Sequence, residues 1–530
     1  MKILTHPAMI AFGVATLCLL TLIAPLVSLN HTAVYHLHGS ISSISIPVLL
    51  NLFGLWILLT LLLLLAERPG RLRIVIWSSL MMGLPWVLLK GYSVLALWPI
   101  PHKPRLAGFS ACLIGLLLLW VLWKPTFLPH FERVQRLVAT MLGFSALSSI
   151  LILGQLLWFS WQARGLNQPR PLHQRQLLSS THRPRTRIVW VVLDELSYQQ
   201  AYERRFPGLE LPAFDRLAAQ STLFTQTMPA ANYTEKVIPS LMTGIQIDRI
   251  KASADGQLML HNTATKIWQS FDPHQTVLQD ALDNGYSTAI AGWYNPYCRI
   301  LASVTDRCFW TFYPFPAPGL YADQPINSNL FGPARRYFFV ALSLLPGYVH
   351  HADWNATLRA QFHIDEQEEV SAAASEFMAD SSVDFLFLHL PVPHPEGIYN
   401  RKTSRTTTSG DSSYIDNLAL ADRYLAQLRL GLEQRGEWDS SAILVMGDHS
   451  WRTQILWSKQ DGWTPEDQAA SHGVQFDDRP VYIVKLPNQQ QGVRINDRFD
   501  AVRTRALLDG IMSNRIKTPE DLAAWVRHEN

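Results

Sequence analysis

Asn232-Tyr233-Thr234-Glu235-Lys236-Val237-Ile238-Pro239-Ser240-Leu241-Met242-Thr243-Gly244 is the stretch on which the reading of this chain turns. It presents a hydroxyl, Thr234, ahead of a short apolar run that predicts the start of a helix. Alone, such a threonine reads as an ordinary N-cap or surface hydroxyl. Two other stretches change that reading. Val191-Val192-Leu193-Asp194-Glu195 lies upstream and Leu444-Val445-Met446-Gly447-Asp448-His449 far downstream. Both read as apolar strands ending in residues of metal-ligand type. In an open α/β sheet, ligands sit at the carboxyl ends of strands.

The surrounding pattern supports a sheet. Apolar, Val- and Ile-rich runs fall at Arg187–Leu193, Ser287–Gly292, Val383–Leu390, Ala442–Met446 and Pro480–Leu486. Helical patterns lie at Leu211–Gln220, Gln275–Asn284, Tyr414–Gln434 and Ala501–Ser513. The longest repeats apolar residues at Ile415, Leu418, Ala421, Leu425, Leu428 and Leu432, which is helical spacing. Strands alternating with helices predict an α/β domain with a mixed, mostly parallel sheet flanked by helices. More candidate ligands collect at the strand ends: His389 and His394 after the third run, and His472 before the last. Carboxylates and imidazoles without thiolates suit zinc or manganese.

The first third of the chain is different. Residues 1–165 are dominated by Leu-rich runs, and nearly all acidic residues lie from Asp194 onward. Spans of membrane length are expected at Ala8–Leu29, Ile44–Ala66, Ile74–Leu97, Ala107–Trp123 and Leu137–Trp161. The loops Glu67–Arg73 and Lys124–Arg136 carry three basic residues each, whereas Asn30–Ser43 carries none. The positive-inside rule puts the two basic loops in the cytoplasm and, after five spans, the remainder outside. The expected organisation is a five-helix membrane domain over 1–165, an Arg-rich interfacial linker over 166–186, and a catalytic domain over 187–530. Net charge is +3 over 530 residues, which gives no electrostatic case for nucleic acid. Cys18 and Cys112 fall in spans. Cys298 and Cys308 are the one pair in the water-soluble part, and in an oxidising compartment they predict a disulfide.

These motifs resemble the alkaline phosphatase superfamily in its sulfatase-like branch. Members place a nucleophilic Thr, Ser or modified Cys ten residues before the Gly of a Leu-x-Thr-Gly ending, as Thr234 stands before Gly244. Leu211-Pro212-Ala213-Phe214-Asp215-Arg216-Leu217-Ala218 resembles a helix start of that family. Tyr414-Ile415-Asp416-Asn417 with Asp422 resembles its Tyr-x-Asn helix, Asp416 taking the Asn place. Gly447-Asp448-His449 resembles its metal motif, with Ser450 in place of Gly. Five spans ahead of such a domain are also the layout of phosphoethanolamine transferases and lipoteichoic acid synthases, in which the threonine stands five residues before a proline, as Thr234 does before Pro239.

The resemblance implies a membrane-anchored, metal-dependent transferase. It would move a phospho-alcohol head group from a phospholipid donor to an extracytoplasmic glycan or lipid acceptor through a phosphothreonine. The place would be the bacterial inner membrane, with the catalytic domain facing the periplasm or outside. The alternative is a membrane-bound phosphate or sulfate ester hydrolase. Thr234 is the expected nucleophile, with His394 and Lys236 as its catalytic partners. Asp194, Glu195, Thr234, Asp448, His449 and His472 are the expected metal ligands. One divalent ion, zinc or manganese, is the reading. A second stays open, because Leu390 stands where diesterases of the superfamily have an Asp four residues before His394. The family's Arg within the nucleophile motif is missing, and Lys236 is a loose substitute. Threonine cannot be oxidised to the formylglycine that sulfatases use.

Overall fold

Asp194 and Asp448 become neighbours through strand register. In the computed structural model, which describes residues 3–28, 32–95, 110, 112–116, 128–174, 186–317, 319–342, 354–460 and 462–528, the central strand β1 (Ile188–Leu193) is buried along its whole length. The other strands of its sheet are β2 (Thr222–Met228), β3 (Thr288–Trp293), β4 (Arg307–Thr311), β5 (Phe385–Leu390), β6 (Ala442–Gly447), β7 (Tyr482–Lys485) and β8 (Val493–Asp500). Their order is β8-β2-β7-β6-β1-β5-β3-β4. Only β7 runs antiparallel to its neighbours, β6 and β2. Leu193 pairs with Gly447 on one side and Leu390 on the other, so the next residues of three parallel strands emerge together at one sheet edge.

The strands at the centre read as continuous Val/Ile/Leu/Phe runs because both faces are covered. Trp354–Ala379 packs on β3, β4 and β5, and Tyr414–Gln434 packs on Pro212–Ala218. Each fully buried Val, Leu, Ile or Phe contributes about 1.5–3 kcal/mol of transfer free energy, so β1, β5 and β6, buried along their whole length, anchor this edge firmly. A three-stranded antiparallel sheet (Ile247–Ala252, Leu258–Asn262, Trp268–Ser270) follows the nucleophile stretch.

All five runs expected as strands are strands, and the four expected helices are present within a few residues. Three strands of the main sheet fall outside the expected set. β2 is half polar (Thr-Leu-Phe-Thr-Gln-Thr-Met), β4 sits in an aromatic stretch that reads as loop, and β8 carries Arg494, Asp497 and Arg498 among its apolar residues. β8 and β4 are the edge strands, where charge and polar groups are tolerated and blunt unwanted pairing.

The chain divides into two compact units. One comprises Met1–Val34, Gly39–Leu166 and Phe315–Leu344; the other comprises Tyr35–His38, Asn167–Pro314 and Leu345–Asn530. In the first, α1 (Pro7–Cys18) and α2 (Leu20–Val27) meet at a 73° bend where one straight span was expected. α3 (Ser42–Leu65), α4 (Arg71–Leu95) and α5 (Leu128–Gln162) follow. Among the described residues, α3 and the helix from Leu128 are long and apolar enough to cross a membrane, and the bent pair makes a third if it is one span. Most of the span expected at Ala107–Trp123 lies outside the described residues. Arg133 and Arg136, expected in a loop, lie in the first turns of α5, where the Arg136 Nε–H donates to the Glu132 carbonyl at 3.3 Å. Ile326–Leu342 belongs to this unit as well, and the Asn329 side chain donates to the Ser43 carbonyl at 2.9 Å.

In the second unit Cys298 and Cys308 form the expected disulfide, with 5.5 Å between their Cα atoms. It ties the short helix Tyr297–Ile300 to β4. Replacing both cysteines by serine is expected to cost about 2–3 kcal/mol, from the entropy of closing a short loop. Urea denaturation of the oxidised wild type and the double variant measures this; equal midpoints would mean that the packing alone holds the loop.

Candidate active site

Thr234 opens the helix α6 (Thr234–Thr243), with Tyr233 at the N-cap in extended conformation (φ −147°, ψ 129°). Gly244 ends the helix in the left-handed conformation (φ 72°), its N–H bonding the Ser240 carbonyl. The ten-residue spacing is therefore the length of one helix, from first residue to C-cap, and the glycine is there because the cap needs positive φ. Val237, Ile238, Leu241 and Met242 bury the inner face. The result is a hydroxyl fixed at a helix N-terminus, where unpaired N–H groups and the helix dipole favour an anion.

The buried Thr234 Oγ1 lies 3.1 Å from Asp194 Oδ2, 2.9 Å from Asp448 Oδ2 and 3.5 Å from His449 Nε2. One hydroxyl proton serves only one of the two carboxylates at a time. Asp448 Oδ1 accepts from the backbone N–H groups of Glu195 at 3.0 Å and His449 at 2.7 Å. Asp194 Oδ1 is buried with no hydrogen-bond partner among the described residues. Burial, reinforced by Asp448 and Glu195, raises the Asp194 carboxyl well above the ordinary range, and burial also raises Asp448. A cluster of this kind is short of positive charge.

His449 is set up as a ligand. Its Nδ1 faces the Ser450 carbonyl at 3.1 Å, so Nδ1 carries the proton and Nε2 presents its lone pair toward Thr234 and Asp448. Burial, with Arg452 adding to it, lowers its pKa to about 3, keeping the ring neutral. Ligand atoms of Asp194, Asp448 and His449 lie within 4.8 Å of one another, as do those of Asp194, Glu195 and His394. With the orphaned Asp194 oxygen, the first set fits one divalent cation of the nitrogen- and oxygen-binding class.

Glu195 behaves differently from Asp194. Its backbone takes positive φ (63°), a strained choice for a side chain of this size. Its carboxylate is held by the Arg452 guanidinium and by Trp457 Nε1 at 2.8 and 2.9 Å. As a metal ligand it would have to share oxygens already committed to these donors. His394 stands half-buried, its ring 5.3 Å from Trp293 and 5.0 Å from Trp457, and its Nδ1 has no partner. Burial, followed by Arg452, holds it neutral. Lys236 is half-buried with Nζ 4.9 Å from the Tyr233 ring centre. His472 does not join the group: it is exposed on the turn after Pro465–Ala470, and its side chain makes no hydrogen bond or ion pair with the Thr234 cluster.

Two side chains of the site stand outside the expected catalytic and metal-ligand set. Arg452 pairs with Glu195 and lies 5.2 Å from the Tyr233 ring, next to the nucleophile stretch. It brings a guanidinium beside that stretch from the chain that follows β6; the signal is its place three residues after His449. His389, on β5, sends Nε2 to 3.8 Å from Asp194 Oδ2 while its Nδ1 meets the Tyr297 hydroxyl at 2.7 Å. It is one of the candidate ligands at the strand ends, though not of the expected metal set.

The helix motif also resolves into structural jobs. The Tyr414 hydroxyl donates to the Glu195 carbonyl at 2.8 Å, and Asp422 accepts the N–H groups of Ala213 and Phe214, capping that helix. The amide that clamps the His394 loop is that of Asn417, donating to the carbonyls of His394 and Glu396. Asp416 instead closes a capping box with Ser413 and binds Arg401.

Removing the guanidinium tests the charge balance. Arg452→Ala leaves Glu195 buried without its counter-ion and is expected to destabilise the fold by about 3–5 kcal/mol. Arg452→Lys should recover part of that loss. Thermal unfolding of both variants decides the matter, and an unchanged Tm for the alanine variant would mean that the Arg452–Glu195 pair does not hold the fold.

A family model described as Sulfatase matches residues 186–470. No curated protein matches the chain in sequence. Solved structures that resemble it include Ps i-CgsB in complex with k-i-k-neocarrahexaose (14% identity, 64% of this chain and 74% of that chain, TM-score 0.39). A phosphonate monoester hydrolase of Agrobacterium radiobacter (14%, 62% and 74%, 0.35) and the lipoteichoic acid synthase LtaP from Listeria monocytogenes (13%, 63% and 73%, 0.34) are others. Likeness at this level carries no inference about substrate. The family match spans more than half of the chain and contains Thr234, Asp194, Asp448 and His449. The chain belongs to the sulfatase family, the sulfatase-like branch of the alkaline phosphatase superfamily that its motifs resemble.

Proposed function

We propose that the protein is a membrane-anchored, metal-dependent transferase that moves a phospho-alcohol head group from a phospholipid to an extracytoplasmic glycan or lipid acceptor. The observation that supports this reading is the buried Thr234 hydroxyl at a helix N-terminus, in contact with two carboxylates and a neutral imidazole. An alcohol is a weak nucleophile at neutral pH, and these neighbours are what it needs for activation. Threonine also favours phosphate over sulfate chemistry, since it yields no formylglycine.

In the first step Thr234 Oγ1 bonds to phosphorus as the bond from phosphorus to the diacylglycerol oxygen breaks. The hydroxyl proton passes to the Asp194 or Asp448 carboxylate, the neutral His394 ring donates a hydrogen bond to a phosphoryl oxygen, and the leaving oxygen takes a proton from water. In the second step the acceptor hydroxyl bonds to phosphorus and gives its proton to the hydroxide left by that water, the bond from phosphorus to Thr234 Oγ1 breaks, and Thr234 takes its proton back from the Asp194 or Asp448 carboxyl. The N-terminal N–H groups of α6, Lys236 and Arg452 stabilise charge on the phosphoryl oxygens. Asp194, Asp448, His449 and Thr234 would hold the divalent ion, and Glu195 would support them through its pairing with Arg452. When bound, zinc or manganese supplies Lewis-acid polarisation and makes the hydroxyl more acidic. The second reading is hydrolysis, in which water replaces the acceptor.

The Thr234 peptide, quenched during turnover with a phospholipid donor, should carry a phosphoryl adduct by mass spectrometry. Thr234→Ala should lower turnover by roughly a thousandfold or more while retaining part of the metal, and Thr234→Ser should keep some activity. Asp448→Ala should lose metal and activity together. An active Thr234→Ala enzyme without the adduct would point to direct attack by water. Transfer of labelled head group to an acceptor, against its release into solution, separates transferase from hydrolase.

Orientation is a further proposal, carried by the basic loops Glu67–Arg73 and Lys124–Arg136. The unit containing Thr234 is expected outside the bacterial inner membrane, facing the periplasm or the exterior. Protease added to intact spheroplasts should cleave it; protection until lysis would reverse the topology and remove access to an extracytoplasmic acceptor.

A further inference from the structure

Arg299 is 4% exposed, yet no carboxylate pairs with it among the described residues. Its guanidinium donates to Asn167 Oδ1 at 2.9 Å and to the Tyr35 carbonyl, both neutral, and its Nε is buried without a partner. Buried guanidinium groups are ordinarily matched by an anion, because an uncompensated charge away from water is costly. Here the charged side chain that acts on it is another cation, Arg170. Arg170 and Arg299 line the same cavity, of about 380 Å³, together with Ser270, Ser303, Leu258 and Phe271. Burial, and then Arg170, bring the Arg299 pKa down to about 9. The sequence offers no local remedy: from Arg164 to Arg187 there are six arginines and no Asp or Glu.

We infer that this cavity binds a phosphate ester anion, held between the Arg170 and Arg299 side chains, with the apolar wall of Leu258 and Phe271 against the alkyl part of the ester. Two guanidinium groups with hydroxyls beside them match the several acceptor oxygens of a phosphate. The mixed lining favours an amphiphile such as an anionic lipid head group, and Arg170 follows the end of the long apolar helix, Gln162, by eight residues. A free phosphate presents the same oxygens. The cavity is independent of the chemistry at Thr234, and binding is read without turnover.

The experiment uses the full chain in detergent micelles, titrated with inorganic phosphate and, separately, with mixed micelles containing phosphatidylglycerol. The expected result is saturable binding that weakens about tenfold in Arg170→Gln, an exposed position where the fold is not at stake. Arg299→Lys, which keeps the charge, should weaken it less than Arg299→Met if both fold. Arg164→Gln, a neighbouring arginine outside the cavity, should bind as wild type. Binding of phosphate that competes with the lipid assigns the site to the phosphate group itself, and binding of the lipid alone assigns it to the head group with its alkyl part. Absence of binding to either probe, unchanged affinity in Arg170→Gln, or equal loss in Arg164→Gln would overturn the inference.

Discussion

The parallel pairing of β1 with β5 and β6 is the constraint on which the site depends. Register places Asp194 and Asp448 at matching strand ends, inside the protein, with ligand atoms within 4.8 Å of each other, where two like charges repel by at least roughly 3 kcal/mol at an effective dielectric of 20. No single contact offsets that. Backbone N–H groups of Glu195 and His449 serve one oxygen of Asp448, the Thr234 hydroxyl serves one carboxylate, and an Asp194 oxygen is left over. The surrounding imidazoles of His389, His394 and His449 are held neutral by burial. Three carboxylates against one guanidinium leave two negative charges, the charge of one divalent ion. The sheet thus creates a demand for a cation at the place where it presents the hydroxyl.

Glu195 shows how adjacent acidic residues are given separate fates. Left on the same side as Asp194, it would add a third negative charge to the cluster. Positive φ at Glu195 turns its side chain toward Arg452 and Trp457. The Tyr414 hydroxyl holds the Glu195 carbonyl in that turn. The same pairing carries Arg452 to the nucleophile stretch, so the backbone strain at one residue serves both the charge balance and the position of the guanidinium.

How much of this was legible follows from what kind of signal each part leaves. Strands buried on both faces leave continuous apolar runs, and β1, β5 and β6 were readable for that reason. The candidate ligands at their ends, Asp194, Asp448 and His449, came with them. The Thr234–Gly244 spacing was readable because a helix of fixed length leaves a fixed interval. β2 and β8 left no such trace, since half-exposed and edge strands mix polar residues into the pattern. The pairing of Arg452 with Glu195, 257 residues apart, is invisible to any local rule. Asp416 and Asn417 could not be told apart by motif alone, because adjacent helix positions differ by about 100° in direction and only packing decides which faces the His394 loop. His472 looked like a ligand by type, and its exposed turn is a tertiary outcome.

The disulfide reaches the site through a short line of contacts. It fixes the helix Tyr297–Ile300 against β4, and Tyr297 is the residue next to Cys298. The Tyr297 ring lies over Gly292 so closely that a Cβ there would come within 2.3 Å of it, which explains a glycine inside β3. The hydroxyl of that ring meets His389 Nδ1, and His389 Nε2 faces Asp194. Thus the loop that the cysteines close bears on the carboxylate whose second oxygen lacks a partner. A loop of this size, tied down only by its own packing, would let the phenol drift from the imidazole; the covalent tie removes that freedom from the chain before the site is assembled.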